Sequence, residues 1–255
     1  MTEDELGNKL KQLEQQEAGR KADPYLPLMA RLDGNCFSNF TRSLERPFDK
    51  RFCDLMLETT KYLVEESEAL LGYCQSDEIT LYWYLDKENF SNREFWFGGK
   101  FYKIASILAS KAGSFFSGNL ANYLPEKVGI YPAFDARVWS VPDLHWVYEN
   151  YLWRFKDARK NSVSMYARNF FSHSQLHKKS GEKMKEMLRE NGTPWEELPE
   201  FFKSGSYVKR QRILLSPDDS RWNNVPLQYR STKPIVRTVV SHWIPEETVN
   251  PSWFM

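Results

Sequence analysis

Leu28, Ala30 and Leu32 alternate with Met29 and Arg31, the period-two signature of a strand over 27–32, and Asp33-Gly34 reads as the break that ends it. From about 48 to 71 the core-facing positions fall at Phe52, Leu55, Met56, Thr59 and Leu63, which is the spacing of one helix face, with Gly72 just past its end. Residues 73–75 then read as a short strand, Ser76-Asp77 as a tight turn, and Ile79, Leu81, Trp83 and Leu85 as a returning strand. Phe101, Ile104, Leu108, Ala112 and Phe115 predict a second long helix from Gly99 to about Tyr123, and Phe134, Ala136 and Val138 a fourth strand. A short polar-faced helix over 5–18 leads into these elements.

The order strand, helix, strand, strand, helix, strand is the ferredoxin-like split unit, an α+β fold of two layers. Right-handed crossovers place its third strand between the first and second. The end of strand one and the turn joining strands two and three then meet at one edge of the sheet, and Asp33 and Asp77 occupy those two places. The second half reads as mostly helical. Leu144, Val147, Tyr151, Phe155 and Ala158 mark one or two helices between Asp143 and about Phe171, and another helix spans 180–191, closed by Asn191-Gly192. The β-rich runs 207–215, 226–230 and 235–243 suit a terminal hairpin or small sheet. The expected organisation is a palm-like catalytic region over 1–142 and a helical and β-hairpin extension over 143–255, packed together as one structural unit.

At 41% hydrophobic and 27% charged residues, the composition is that of an ordinary soluble globular protein. A net charge of +1 means that any nucleic-acid surface is a local patch on a balanced protein. Residues 1–20 lack the apolar core of a signal peptide, and no run reaches the ~20 apolar residues of a membrane span. Cys36, Cys53 and Cys74 are too few and scattered for a disulfide framework, so a cytoplasmic location is expected.

Two carboxylates at one sheet edge suit a pair of hard divalent cations, with phosphate and carbonyl oxygens completing the shell, as in phosphoryl and nucleotidyl transfer. Glu78 follows Asp77 directly, so on a strand it is expected to face the other way and to be the weaker ligand. Gly98-Gly99-Lys100 opening a helix, with Lys103 a turn on, suits a triphosphate. Basic residues cluster around Arg154, Arg159 and Lys160, around Lys178, Lys179, Lys183 and Lys185, and around Lys203, Lys209 and Arg210, which makes a polyanion-binding surface plausible. His173 and His177 have helical metal-ligand spacing without an acidic partner and are read as surface histidines.

The ordered set Arg31-Leu32-Asp33-Gly34 with Phe37 and Phe40, then Gly72-Tyr73-Cys74-Gln75-Ser76-Asp77-Glu78, Gly99-Lys100 to Lys103, Phe134-Asp135-Ala136-Arg137-Val138, Tyr151-Leu152-Trp153-Arg154 and Pro226-Leu227-Gln228-Tyr229-Arg230 resembles the tRNA-His guanylyltransferase family, in its like-protein branch of 3′-to-5′ polymerases. The resemblance covers about residues 5–240. It implies a polymerase-type palm, usually in a homotetramer, with two Mg²⁺ ions held by Asp33, Asp77 and the Gly34 carbonyl, and with Glu78 beside them as a further catalytic acid. It implies nucleotide contacts from Gly34, Asn35, Cys36, Phe37, Ser38, Arg46, Ser76, Lys100 and Lys103, with ATP and GTP or another NTP as substrates. Contacts to tRNA are expected from Arg137, Arg154, Arg159, Lys160, Asn161, Lys209 and Arg210. Where the eukaryotic branch carries His-Ile-Asn-Asn, this chain has Arg159-Lys160-Asn161-Ser162, which favours templated 5′-end repair over addition of a single G to tRNA-His. G addition, a nucleotide cyclase and a non-catalytic RNA-binding protein are the competing readings.

Overall fold

The period-two runs become four strands: β1 (Leu28–Asn35), β2 (Leu71–Gln75), β3 (Glu78–Trp83) and β4 (Ala133–Ser140). They are ordered β4-β1-β3-β2 and every pairing is antiparallel, so the third strand does lie between the first and second. The structure is a computed structural model that describes residues 3–85, 94–219, 222–223, 225, 227–229, 233, 235–245 and 248–254. A hairpin of β5 (Ser206–Leu215) and β6 (Ile235–Trp243) continues the same sheet, with β5 on the outer edge of β2. The helices are α1 (Glu3–Ala18), α2 (Phe37–Phe40), α3 (Lys50–Glu66), α4 (Phe101–Gly118), α5 (Leu120–Tyr123), α6 (Leu144–Ala167), α7 (His173–Leu176), α8 (Gly181–Glu190) and α9 (Glu200–Ser204).

Alternation along the strands sends side chains to two cores. Leu28, Ala30, Leu32, Ile79 and Leu81 pack with Leu55, Leu63, Ile104 and Leu108 of α3 and α4. Met29, Leu71, Tyr73 and Tyr82 face the opposite way, onto Val147, Tyr151 and Phe155 of α6. A third cluster of Val163, Ala167, Leu176, Leu188 and Trp195 joins the far end of α6 to α7 and α8. Among the described residues no helix is long and apolar enough to cross a membrane.

Several boundaries differ from the periodic reading. Asp33-Gly34 does not end β1, because β4 pairs with it as far as Asn35↔Ala133. The helix predicted to reach 71 stops at Glu66: the Ser67 N–H and hydroxyl both donate to the Leu63 carbonyl, and Glu68 adopts φ 58°. This frees the next residues to pair with β3, so Gly72 is a strand residue rather than a helix cap. The second long helix starts at Phe101, since Gly98 and Gly99 have φ of 60° and 74°, and it is interrupted at Asn119. β3 ends at Trp83, before Leu85. Within the 143–171 stretch one helix runs from Leu144 to Ala167, capped where the Asp143 carboxylate accepts from the Trp146 N–H. In the predicted 226–230 strand, Leu227–Tyr229 is a 3₁₀ turn, and Pro226 and Arg230 lie outside the described residues.

Gly72 is where α3 lies closest to β2: a Cβ there would sit 2.6 Å from Val64 Cγ2 and 3.0 Å from Thr60 Cγ2. Gly72→Ala is expected to lower stability by about 1–3 kcal/mol, since both neighbours are buried in a packed layer. An unchanged urea midpoint would refute this. The buried Asp49 carboxylate caps α3 by accepting from the Arg51 N–H at 3.0 Å and pairs with the Arg51 guanidinium at 2.8 Å. That guanidinium bond holds the Asp49 carboxyl below the ordinary aspartate value near 3.8. Asp49→Ala is expected to cost about 1–2 kcal/mol at pH 7. Because the folded-state value is the lower one, the electrostatic part is present above 3.8 and fades as pH falls below it. The stability gap between wild type and variant therefore narrows from pH 7 to pH 3, and a constant gap would leave only the neutral cap.

Candidate active site

β1 is central, so each of its residues has a cross-strand neighbour on both sides. Asp33 stands opposite Glu78 of β3 and Asp135 of β4. Arg31, two residues earlier and on the same face, stands opposite Thr80 and Arg137. An acidic row thus lies beside a partly basic row on the sheet face that carries α6. Asp77 joins from the β2–β3 turn, where the Gly34 N–H donates to the Asp77 carbonyl at 3.1 Å. The strand-end acids are therefore neighbours, as the topology required. The glycine has a local reason: the Phe37 ring folds back over β1, and a Cβ on Gly34 would lie 2.4 Å from Phe37 Cδ2.

The acids are unequally compensated. Arg31 Nη2 binds Asp33 Oδ2 at 3.1 Å and Glu78 Oε1 at 2.9 Å, and Arg154 Nη1 from α6 binds Glu78 Oε2 at 2.7 Å. Both oxygens of Glu78 are thereby taken. Asp77 accepts from the Ser76 hydroxyl, at 3.0 Å, and has no basic side chain within ion-pair distance among the described residues. Burial, reinforced by the charge of Asp33, pushes the Asp77 carboxyl above its ordinary value. Glu78 is also pushed up, by burial above all, against the pull of Arg154 and Arg31. Burial lowers Arg154, whose guanidinium lies 4.2 Å from the Trp153 ring centroid. Arg31 Nε and Arg154 Nε are buried without partners. Among the described residues no three His, Cys, Asp or Glu side chains form a metal-sized cluster.

A cavity of about 330 Å³ opens beside Ser76, Asp77 and Glu78, walled by Arg154, Asp157, Asn161 and Arg168 of α6 and the residues just beyond it. A smaller cavity of about 110 Å³ shares Gln75, Ser76 and Met165 with it and is lined by Arg46, Phe48, Phe52 and Phe202.

Glu78 does not face away from the acids, because Asp77 belongs to the turn and Glu78 takes the strand position opposite Asp33. Asn35, Cys36 and Ser38 are exposed beside the site, whereas Phe37 is buried in an aromatic cluster with Phe40, Phe52, Phe116 and Phe134. Phe37 thus shapes the backbone and offers no ring to a ligand. Lys100 and Lys103 do not join the acids. The start of α4 bonds to Arg20 and Lys21, ahead of β1, while Phe116 near its other end packs on Phe37 and Phe134. The helix separates the two ends by about 22 Å.

The expected RNA-contacting cations are also dispersed. Arg154 is buried against Glu78. Arg159 binds Glu200 and Ser204, clamping α6 to α9. Lys160 and Arg137 are exposed, and Asn161 donates to Asp157 while lining the larger cavity. Lys209 pairs in register with Leu71, at the end of β2 remote from Asp77, and Arg210 beside it is tied to Glu68. Arg31, Asp135, Asp157 and Arg168 stand at the site without being among its expected contact residues. Strand parity with Asp33 marks the first two, and helical spacing through Arg154, Asp157, Asn161 and Ser164 to Arg168 marks the others.

A ferredoxin-like sheet with acids at the end of its central strands, flanked by ligand-sized cavities, is a polymerase-type palm. The chain belongs to the tRNA-His guanylyltransferase family, a family of nucleotidyltransferases: the family's sequence model, described as tRNAHis guanylyltransferase (Thg1), matches residues 7–142. A bacterial tRNA(His) guanylyltransferase (Thg1)-like protein solved in complex with ATP is similar at a TM-score of 0.74 and 31% identity, over 81% of this chain and 87% of that one. A structure of such a bacterial protein in complex with GTP gives 0.69 and 26%, over 92% and 90%. The tRNA(His) guanylyltransferase of Saccharomyces cerevisiae is 27% identical over 216 residues, covering 75% of this chain and 86% of the yeast protein.

Arg154→Met leaves one Glu78 oxygen unpaired among three acids. The expected loss at pH 7 is about 2–3 kcal/mol, and Glu78→Gln in the same chain is expected to recover part of it. Denaturant melts of both single variants and the double variant measure the coupling, and strictly additive losses would show that the pair is not coupled.

Proposed function

We propose that this protein adds nucleotides in the 3′-to-5′ direction to the 5′ end of tRNA, repairing truncated molecules against the opposite strand as template. The observation that carries the reading is the Gly34–Asp77 backbone hydrogen bond, which sets two carboxylates at one edge of a palm beside a cavity. The similarity to bacterial proteins solved with ATP and GTP supports nucleotide substrates.

Asp33, Asp77 and the Gly34 carbonyl are hard oxygen donors of the kind Mg²⁺ prefers, and Asp77 is a half-buried carboxylate with no ion-pair partner among the described residues. These residues would hold two Mg²⁺ ions, which would neutralise phosphate charge and acidify the attacking hydroxyl. Ser76 orients Asp77 through its hydroxyl, and Arg31 with Arg154 fixes Glu78 as a supporting acid rather than a free ligand. The cavity beside Asp77 takes the reacting phosphates, and the aromatic-lined one takes a base. A 5′ monophosphate is first adenylylated by ATP, releasing pyrophosphate. The 3′ hydroxyl of the incoming nucleotide then attacks that phosphorus and AMP leaves; a 5′ triphosphate reacts directly, releasing pyrophosphate.

Arg159 stands where the eukaryotic branch has histidine and is spent on Glu200 and Ser204, which favours templated repair over anticodon-dependent G addition. The enzyme works as a homotetramer in the cytoplasm; the exposed apolar stripe Leu6, Leu10 and Leu13 of α1 supports assembly.

Purified protein offered a 5′-truncated tRNA and each NTP separately is expected to incorporate the nucleotide complementary to the template, with Mg²⁺ and not with chelator. Asp33→Ala and Asp77→Ala are expected to abolish labelled-nucleotide transfer while melting like wild type. Retained transfer in either variant overturns the metal assignment, and cyclic products formed from NTP alone overturn the reaction.

A further inference from the structure

Beyond the acids, the end of α6 leads into a second basin. A cavity of about 490 Å³ is lined by Arg168, His173, His177, Lys178 and Lys179, with no carboxylate in its wall. It shares Ser164 and Arg168 with the cavity beside Asp77, so the two adjoin along the end of α6. Arg168, Lys178 and Lys179 are exposed and, among the described residues, have no acidic partner within ion-pair distance, unlike the cations around them. Lys183 and Lys185 on α8 are tied to Glu186 and Glu182, Arg189 to Glu196, and Lys203 to Glu200. The His173 and His177 rings lie 6.0 Å apart, tilted by 31°, in the same wall.

Three unpaired cations in a concave wall repel one another, and the natural complement is a polyanion. Length decides which phosphate source fits. From Arg154 to Arg168 the helix axis advances about 21 Å. Arg168 lines both cavities, whereas Lys178 and Lys179 line only the second, so one nucleoside triphosphate seated at Asp77 occupies the first and consecutive phosphodiesters of a strand continue into the second. We infer that the RNA strand whose 5′ end lies beside Asp77 runs along the end of α6 and is held through its backbone phosphates by Arg168, Lys178 and Lys179, with His173 and His177 as further donors. The inference rests on the reaction proposed above, because it takes the RNA end to sit at the acids. It gives the histidine pair a role in RNA docking rather than metal binding.

The test uses equilibrium binding of a fluorescein-labelled, 5′-truncated tRNA transcript to the full chain across a salt series. Lys178→Gln/Lys179→Gln is expected to weaken binding about tenfold and to flatten the slope of log Kd against log salt by about one to two. Lys9→Gln/Lys11→Gln, which removes the same charge from exposed α1, is expected to bind like wild type. Binding of ATP and GTP, measured separately, stays unchanged. His173→Gln/His177→Gln is expected to weaken RNA binding without altering the melting temperature. Unchanged RNA affinity in the lysine variant, an equal loss in the α1 variant, or a loss confined to free nucleotide each overturns the inference. Because binding is read without turnover, a protein that docks RNA here but transfers nothing overturns the proposed reaction alone.

Discussion

Arg31 stands between Asp33 and Glu78 and donates to both, at 3.1 and 2.9 Å. Asp33, Asp77 and Glu78 crowd one sheet end, and like charges facing each other across strands are destabilising. The fold tolerates the crowding because Arg31 bridges two of the acids and Arg154 reaches across from α6 to take the remaining oxygen of Glu78. Among the described residues Asp77 has no basic side chain within ion-pair distance, and that asymmetry gives the site its chemistry. A fully neutralised cluster would be inert. One carboxylate kept half-buried, pushed up by burial and by Asp33, favours binding of a positive charge.

Backbone constraints make this arrangement reproducible. β1 is hydrogen-bonded on both edges, so Asp33 cannot shift without breaking two ladders. The Gly34–Asp77 bond closes the β2–β3 turn onto β1. Two glycines serve close approach: Gly34 admits the Phe37 ring, and Gly72 admits α3. Behind them, Phe37, Phe40, Phe52, Phe116 and Phe134 form a continuous aromatic contact that ties α2, α3, α4 and β4 to the end of β1. Much of the chain's aromatic content is therefore structural. Phe48, Phe201 and Phe202 instead line the smaller cavity.

The basic residues divide into those that hold the fold together and those that remain available. Arg154 and Arg159 are spent inside the protein, on Glu78 and on Glu200 with Ser204. Arg168, Lys178 and Lys179 have no acidic partner within ion-pair distance among the described residues. With a net charge of only +1, attraction for a polyanion depends on where the unpaired cations lie rather than on their number.

Periodicity along the chain determined the elements, their order and, through the handedness of crossovers, the sheet topology; it also implied that Asp33 and Asp77 meet. These are properties of short windows and of chirality, so a single sequence carries them. Helix ends were legible only approximately. Gly72 resembles a helix cap in sequence, yet pairing with β3 and packing under α3 made it a strand residue. Charge was the least legible. Lys100, Arg154 and Arg159 looked like ligand contacts, but one lies at the far end of α4 and the others bind acids 76 and 41 residues away. Whether a cation is free depends on partners distant in the chain. Local pattern carries no record of them, and only the tertiary structure decided which charges were left to meet a ligand.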